Sequence, residues 1–116
     1  MIEGDFYLRI KDLAGGRVYP GVAPAGTEAP YLTFQLIAGN RDWVLAGASG
    51  ARQATIQVNA WGRKPAEAAE LIEQVFALIE TDAADFSCVG AQDLSTIDDE
   101  ETTALHGAAI EFFLIR

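Results

Sequence analysis

At 116 residues the chain is long enough to bury one compact core and short for two, so a single domain over 1–116 is expected. Apolar residues make up 50% and charged residues 22%, which excludes a disordered chain, and no apolar run approaches the roughly 20 residues that cross a bilayer, so no membrane role is expected. The net charge of −9 is repelled by nucleic-acid phosphates at long range, which disfavours DNA binding as the function.

The opening MIEGDFYLRIKDL mixes charges into its apolar pattern and so lacks a signal-peptide core, which points to a protein made in the cytoplasm. Ile2, Phe6, Ile10 and Leu13 recur at helical spacing, predicting a short amphipathic helix over Glu3 to Leu13 that Gly15-Gly16 ends. Arg17 to Pro30, RVYPGVAPAGTEAP, is rich in proline and glycine and reads as an extended arm with at most a short strand at Arg17 to Tyr19 and a turn at Pro20-Gly21. Tyr31 to Ala38 alternates as a strand. The following GNRDWVLAGASGAR reads as a glycine-bracketed loop. Gln53 to Trp61 is the clearest strand, with Ala54, Ile56, Val58 and Ala60 on one face and Gln53, Thr55, Gln57 and Asn59 on the other.

Pro65 suits the first turn of a helix, and Ala68, Leu71, Ile72, Val75, Phe76 and Ile79 form its apolar stripe, so a long amphipathic helix is expected to cover a sheet. Phe86 to Leu94 is a weakly patterned strand, STIDDEETT a polar loop, and Ala104 to Ile115 a terminal strand with His106, Ala108, Ile110, Phe112 and Leu114 on one face. The order predicts an α+β domain with a mainly antiparallel sheet of four to five strands.

Chemistry has few footholds. One cysteine, Cys88, and one histidine, His106, make neither a disulfide nor a His/Cys metal cluster, and both read as ordinary strand residues. Gly62-Arg63-Lys64 before a helix invites a phosphate-site reading, but no phosphate-loop motif surrounds it. Asp98, Asp99, Glu100 and Glu101 lack the alternating order of a calcium loop, and read as a solvated hairpin loop or an acidic projection. No nucleophile elbow is present. No enzyme activity, cofactor or metal is expected.

Interaction features are stronger. Residues 1–64 hold seven of the eight lysines and arginines and five acids, whereas residues 65–116 hold Arg116 alone against twelve acids. Such a division suits copies that pair head to tail. Tyr19, Trp43 and Trp61 are large aromatics in exposed-looking places, Trp43 near Arg41 and Trp61 near Arg63, the composition of interface centres.

GGRVYPGVAP (Gly15 to Pro24), PYLTFQ (Pro30 to Gln35), the glycine-rich loop, ARQATIQVNAW (Ala51 to Trp61) with its Ala/Glu-rich helix, and the terminal AAIEFFLIR together resemble the tail-completion or tail-terminator family of long-tailed bacteriophages and gene transfer agents. The resemblance implies a small α+β virion subunit, assembled in the bacterial cytoplasm, that forms a ring, usually of six copies, at the head-proximal end of the tail tube. Such a ring ends tube polymerisation and meets the head's connector, with DNA only as passing cargo in the lumen. Tyr19, Arg41, Trp43, Arg52, Trp61, Arg63, Lys64 and the Asp98, Asp99, Glu100, Glu101 run are the expected contact residues. Another head–tail connector or minor tail subunit is the neighbouring alternative; a small-ligand-binding α+β module is the alternative of another class.

Overall fold

The computed structural model describes residues 2–44, 47–81, 85–94 and 105–115, and for 39–44 and 47–52 it describes the backbone. The elements are α1 (Ile2–Ile10), a 3-10 turn (Leu13–Gly16), β1 (Val18–Pro20), β2 (Tyr31–Val44), β3 (Gly47–Gly62), α2 (Pro65–Ile79), β4 (Ser87–Leu94) and β5 (His106–Ile115). The strands form one five-stranded sheet in the order β1-β2-β3-β5-β4.

The apolar face of the sheet is the one the alternation foretold. Ala54, Ile56, Val58 and Ala60 of β3 and Ile110, Phe112 and Leu114 of β5 are buried beneath Ala68, Leu71, Ile72, Val75 and Ile79 of α2. Helix α1 adds Ile2, Phe6 and Ile10 to the same core. The Phe6 ring lies 5.7 to 6.2 Å from the rings of Phe34, Phe112 and Phe86. A helix of nine residues is marginal alone in water, so this packing is what holds α1 in place.

Three expectations need correction. The sheet is mixed instead of mainly antiparallel, because β1 pairs parallel to β2, Val18 opposite Leu32 and Tyr19 opposite Thr33. The arm between them, Gly21 to Pro30, is long enough to carry the chain back to the starting end of β2. Helix α1 stops at Ile10, and Leu13–Gly16 instead forms a 3-10 turn in which Ala14 and Gly15 have positive φ. Finally, the expected loop from Gly39 to Arg52 is largely strand: β2 and β3 stay paired from Ala38↔Thr55 to Val44↔Gly47. Glycines weaken local strand propensity, but each strand here supplies the other's backbone partners, and pairing outweighs propensity.

That pairing outruns the rest of the sheet. Strand β5 ends at the rung Gln53↔Ile115, so residues 41–44 and 47–52 form a two-stranded ribbon beyond it. The ribbon stretches the molecule to 53 × 23 × 22 Å.

Candidate functional site

The corner from Trp61 to Lys64 is built by close approach. Gly62 is buried, and a Cβ there would lie 3.0 Å from the Ala68 nitrogen and from the Glu67 Cβ and Oε1. Glycine lets the start of α2 sit directly on the end of β3. Pro65 opens the helix, Glu67 Oε1 accepts the Arg63 backbone N–H at 2.9 Å, and the Lys64 carbonyl accepts the N–H groups of Glu67 and Ala68. A carboxylate thus already occupies the electropositive helix end where a phosphate would bind. Gly62→Ala is expected to destabilise the fold by about 1–3 kcal/mol, from overpacking against backbone that cannot yield, read from the denaturant midpoint. Arg63 and Lys64 are exposed, and neither forms a salt bridge among the described residues.

Trp61 faces away from the helices, paired with Tyr31 on one side and Gly107 on the other. A Cβ on Gly107 would lie 3.0 Å from its Cζ3, so the indole rests on that glycine and is half-buried. Tyr19, in register with Thr33, is half-buried in the neighbouring β1. Over this end of the sheet bends the arm, turned at Gly21 and Gly26 where φ is +75° and +83° and tied down by the Gly21 N–H to the Phe34 carbonyl at 2.8 Å. An open groove of about 910 Å³ runs between the arm and Tyr31, Thr33, Asn59, Trp61 and Arg63. At its lip Val22 is 84% exposed.

The structure therefore gathers Tyr19, Trp61, Arg63 and Lys64 at one end. Arg41, Trp43 and Arg52 belong to the ribbon at the opposite end, with Arg41 directly across from Arg52 and Trp43 across from Ala48. Asp98, Asp99, Glu100 and Glu101 lie outside the described residues. Between the two ends the outer sheet face is polar, with Gln35, Gln57, Glu111 and Gln92 aligned on one row across four strands.

Two features carried no sequence signal, since each joins segments far apart in the chain. The first is Arg9. Its guanidinium donates to the carbonyls of Ile79 at 3.3 Å, Thr81 at 2.7 Å and Phe86 at 3.2 Å, pairs with the Asp85 carboxylate and stacks 3.9 Å above the Phe86 ring. The last turn of α2 has no basic residue of its own, so Arg9 supplies the positive charge that a helix C-terminus favours. The Arg9 hydrogen bond holds the Asp85 carboxyl below its ordinary pKa, against the opposing effect of burial. The second is a slot of about 160 Å³ between α2 and the edge strand β4, lined by Ile72, Glu73, Phe76, Ala91, Asp93 and Ile110.

Among the described residues no group of three or more His, Cys, Asp or Glu is placed to hold a metal ion, and no helix is long and apolar enough to cross a membrane. What the arrangement offers is surface: an arm, a ribbon, and charges of both signs kept apart.

Comparison with known proteins agrees with that character. A chain from a structure described as the virion of a native gene transfer agent particle superposes with a TM-score of 0.56 at 16% identity, covering 95% of this chain and 88% of that one. At that identity the likeness is one of fold. Among curated protein sequences there is no match. The family model described as Tail completion protein gp17 matches residues 9–114, from the last turn of α1 to the end of β5, and on that match the chain belongs to the Tail completion protein gp17 family, structural virion proteins of the bacteriophage tail.

Proposed function

We propose that residues 1–116 act as one domain that assembles into a homo-oligomeric ring, of six copies, at the head-proximal end of the tail tube. There the ring ends tube polymerisation and presents a surface to the head connector, with DNA passing through the lumen as cargo. The observation that supports a ring is the separation of charge on the molecule. Exposed Arg63 and Lys64 mark one end and exposed Glu70, Glu73 and Glu80 lie along α2, none of them in a salt bridge with another described residue. A surface basic in one place and acidic in another matches a rotated copy of itself, and such head-to-tail contacts close into rings.

Under this reading Arg63→Glu/Lys64→Glu lowers particle yield about tenfold or more, since like charges now meet at each repeated contact. Its melting temperature stays close to wild type, because both side chains are solvent-exposed and surface changes alter folding by about 0.5 kcal/mol or less. Unchanged yield and ring formation in that variant would sink the placement of these cations in a contact. The groove under the arm favours a second reading, a small-ligand-binding module. That reading requires a monomer or dimer in solution, and native mass measurement of concentrated protein and of assembled tails separates the two.

A further inference from the structure

The ribbon is an unfinished piece of structure. Its residues pair with each other from Arg41↔Arg52 outward to Val44↔Gly47, while β5 and β4 stop at the rung of Ile115 and Ser87. No described strand lies along either outer edge, and a two-stranded ribbon by itself is marginally stable in water. Its chemistry adds to the deficit. Arg41 is directly opposite Arg52, and like charges facing each other across a strand pair are destabilising unless acids come between or beside them.

The complementary surface is on the same chain but out of its own ribbon's reach. Strand β4 is an edge of the sheet with no further described strand beside it, and the slot next to it is lined by Glu73 and Asp93 together with Ile72, Phe76, Ala91 and Ile110. Both acids are exposed, and neither forms a salt bridge among the described residues. Asp93 pairs with Ile110, five positions back along β5 from Ile115, whereas the ribbon starts level with Ile115 and leads the other way. The ribbon therefore points away from its own slot.

We propose that the ribbon of one copy docks along the β4 edge of the next copy, with the Arg41 and Arg52 rung against the Glu73 and Asp93 carboxylates. This rests on the ring reading above and specifies its contact. The occupant is a second copy because the chain itself carries both halves of the charge match, and a patch that meets a different patch on an identical neighbour repeats around a closed ring. Docking gives the ribbon a third strand's worth of backbone partners, as added strands do at other free sheet edges, and covers the edge that would otherwise be open to unspecific pairing.

A charge-swap experiment tests this. Variant one carries Arg41→Glu and Arg52→Glu, so ribbon and slot are both acidic; variant two carries Glu73→Lys and Asp93→Lys, so both are basic. Each alone should self-associate about 100-fold more weakly than wild type, with unchanged circular dichroism as the control that the fold is kept; Glu73 and Asp93 are exposed. Mixed in equal amounts, the two should recover assembly as oligomers holding equal numbers of each, read by native mass spectrometry and by incorporation into tails. Wild-type self-association in either variant alone, or a mixture that stays unassembled, overturns ribbon-to-slot docking while leaving the ring intact. If wild-type protein enters the particle as a single copy, the ring reading falls and this contact with it.

Discussion

Arg9→Met is expected to cost about 3 kcal/mol of folding stability, because it strips one partner from a largely buried ion pair and leaves helix-end carbonyls without their donor. The Arg9 side chain is 13% exposed and that of Asp85 29%, so water replaces the lost partners poorly. Equilibrium urea unfolding gives the number, and the melting temperature should fall by about 10 °C. Arg9→Lys should fall between, since an ammonium keeps the charge but not the fork that reaches Ile79, Thr81, Phe86 and Asp85 at once.

The same contact has a pH signature. Arg9 depresses the Asp85 pKa in the folded state, so the folded protein favours the ionised carboxylate more than the unfolded chain does. Its stabilisation is whole above the unfolded value of about 3.9 and is lost as pH falls through the lower folded value. Stability of the wild type should therefore drop in acid with a slope that Asp85→Asn or Arg9→Met reduces. A variant with the wild-type acid slope would show that the pair does not contribute to folding.

Phe6→Ala is expected to have the largest effect, about 3–5 kcal/mol, a substantial part of the 5–15 kcal/mol typical of a small domain. Phe6 is fully buried among Phe34, Phe86 and Phe112, and it lies before residue 9, where the family match begins. Its loss opens a cavity where α1, α2 and the sheet meet. Phe6→Leu should cost less than Phe6→Ala, which distinguishes packing from helix formation, since alanine is the better helix former and propensity alone would give the reverse order. Hydrogen exchange should then show the amides of α1 losing protection before those of β3, as α1 depends on this packing while β3 has a paired strand on each side.

Much of the architecture is legible residue by residue. The alternation from Gln53 to Trp61 places Ile56 and Val58 in the core, the stripe from Ala68 to Ile79 places α2 over them, and Gly62 with Pro65 marks the junction between the two. The arm from Arg17 to Pro30 is readable from its prolines and glycines, but its consequence is not. Whether the short strand Val18–Pro20 joins β2 in parallel or antiparallel depends on how the arm folds back, which no local pattern specifies. The ribbon is hidden for a similar reason, because Gly39, Gly47 and Gly50 are loop-forming locally and become strand only beside each other.

Of the expected contact residues, Arg63, Lys64, Tyr19 and Trp61 are found together at one end, and the ribbon carries Arg41, Trp43 and Arg52 to the other. The length of β3 separates these basic residues into two groups.

The amino-acid sequence by itself determined what depends on neighbours within a few positions: the faces of β3, β5 and α2, the turn residues, and the unequal sharing of charge between the first 64 residues and the rest. The tertiary structure decided what depends on distant segments meeting: Arg9 at the end of α2, Glu73 beside Asp93, the parallel β1 and the ribbon. Periodicity is written along a chain, whereas a hydrogen bond or ion pair between residues about 76 positions apart exists only once burial has ordered the backbone between them.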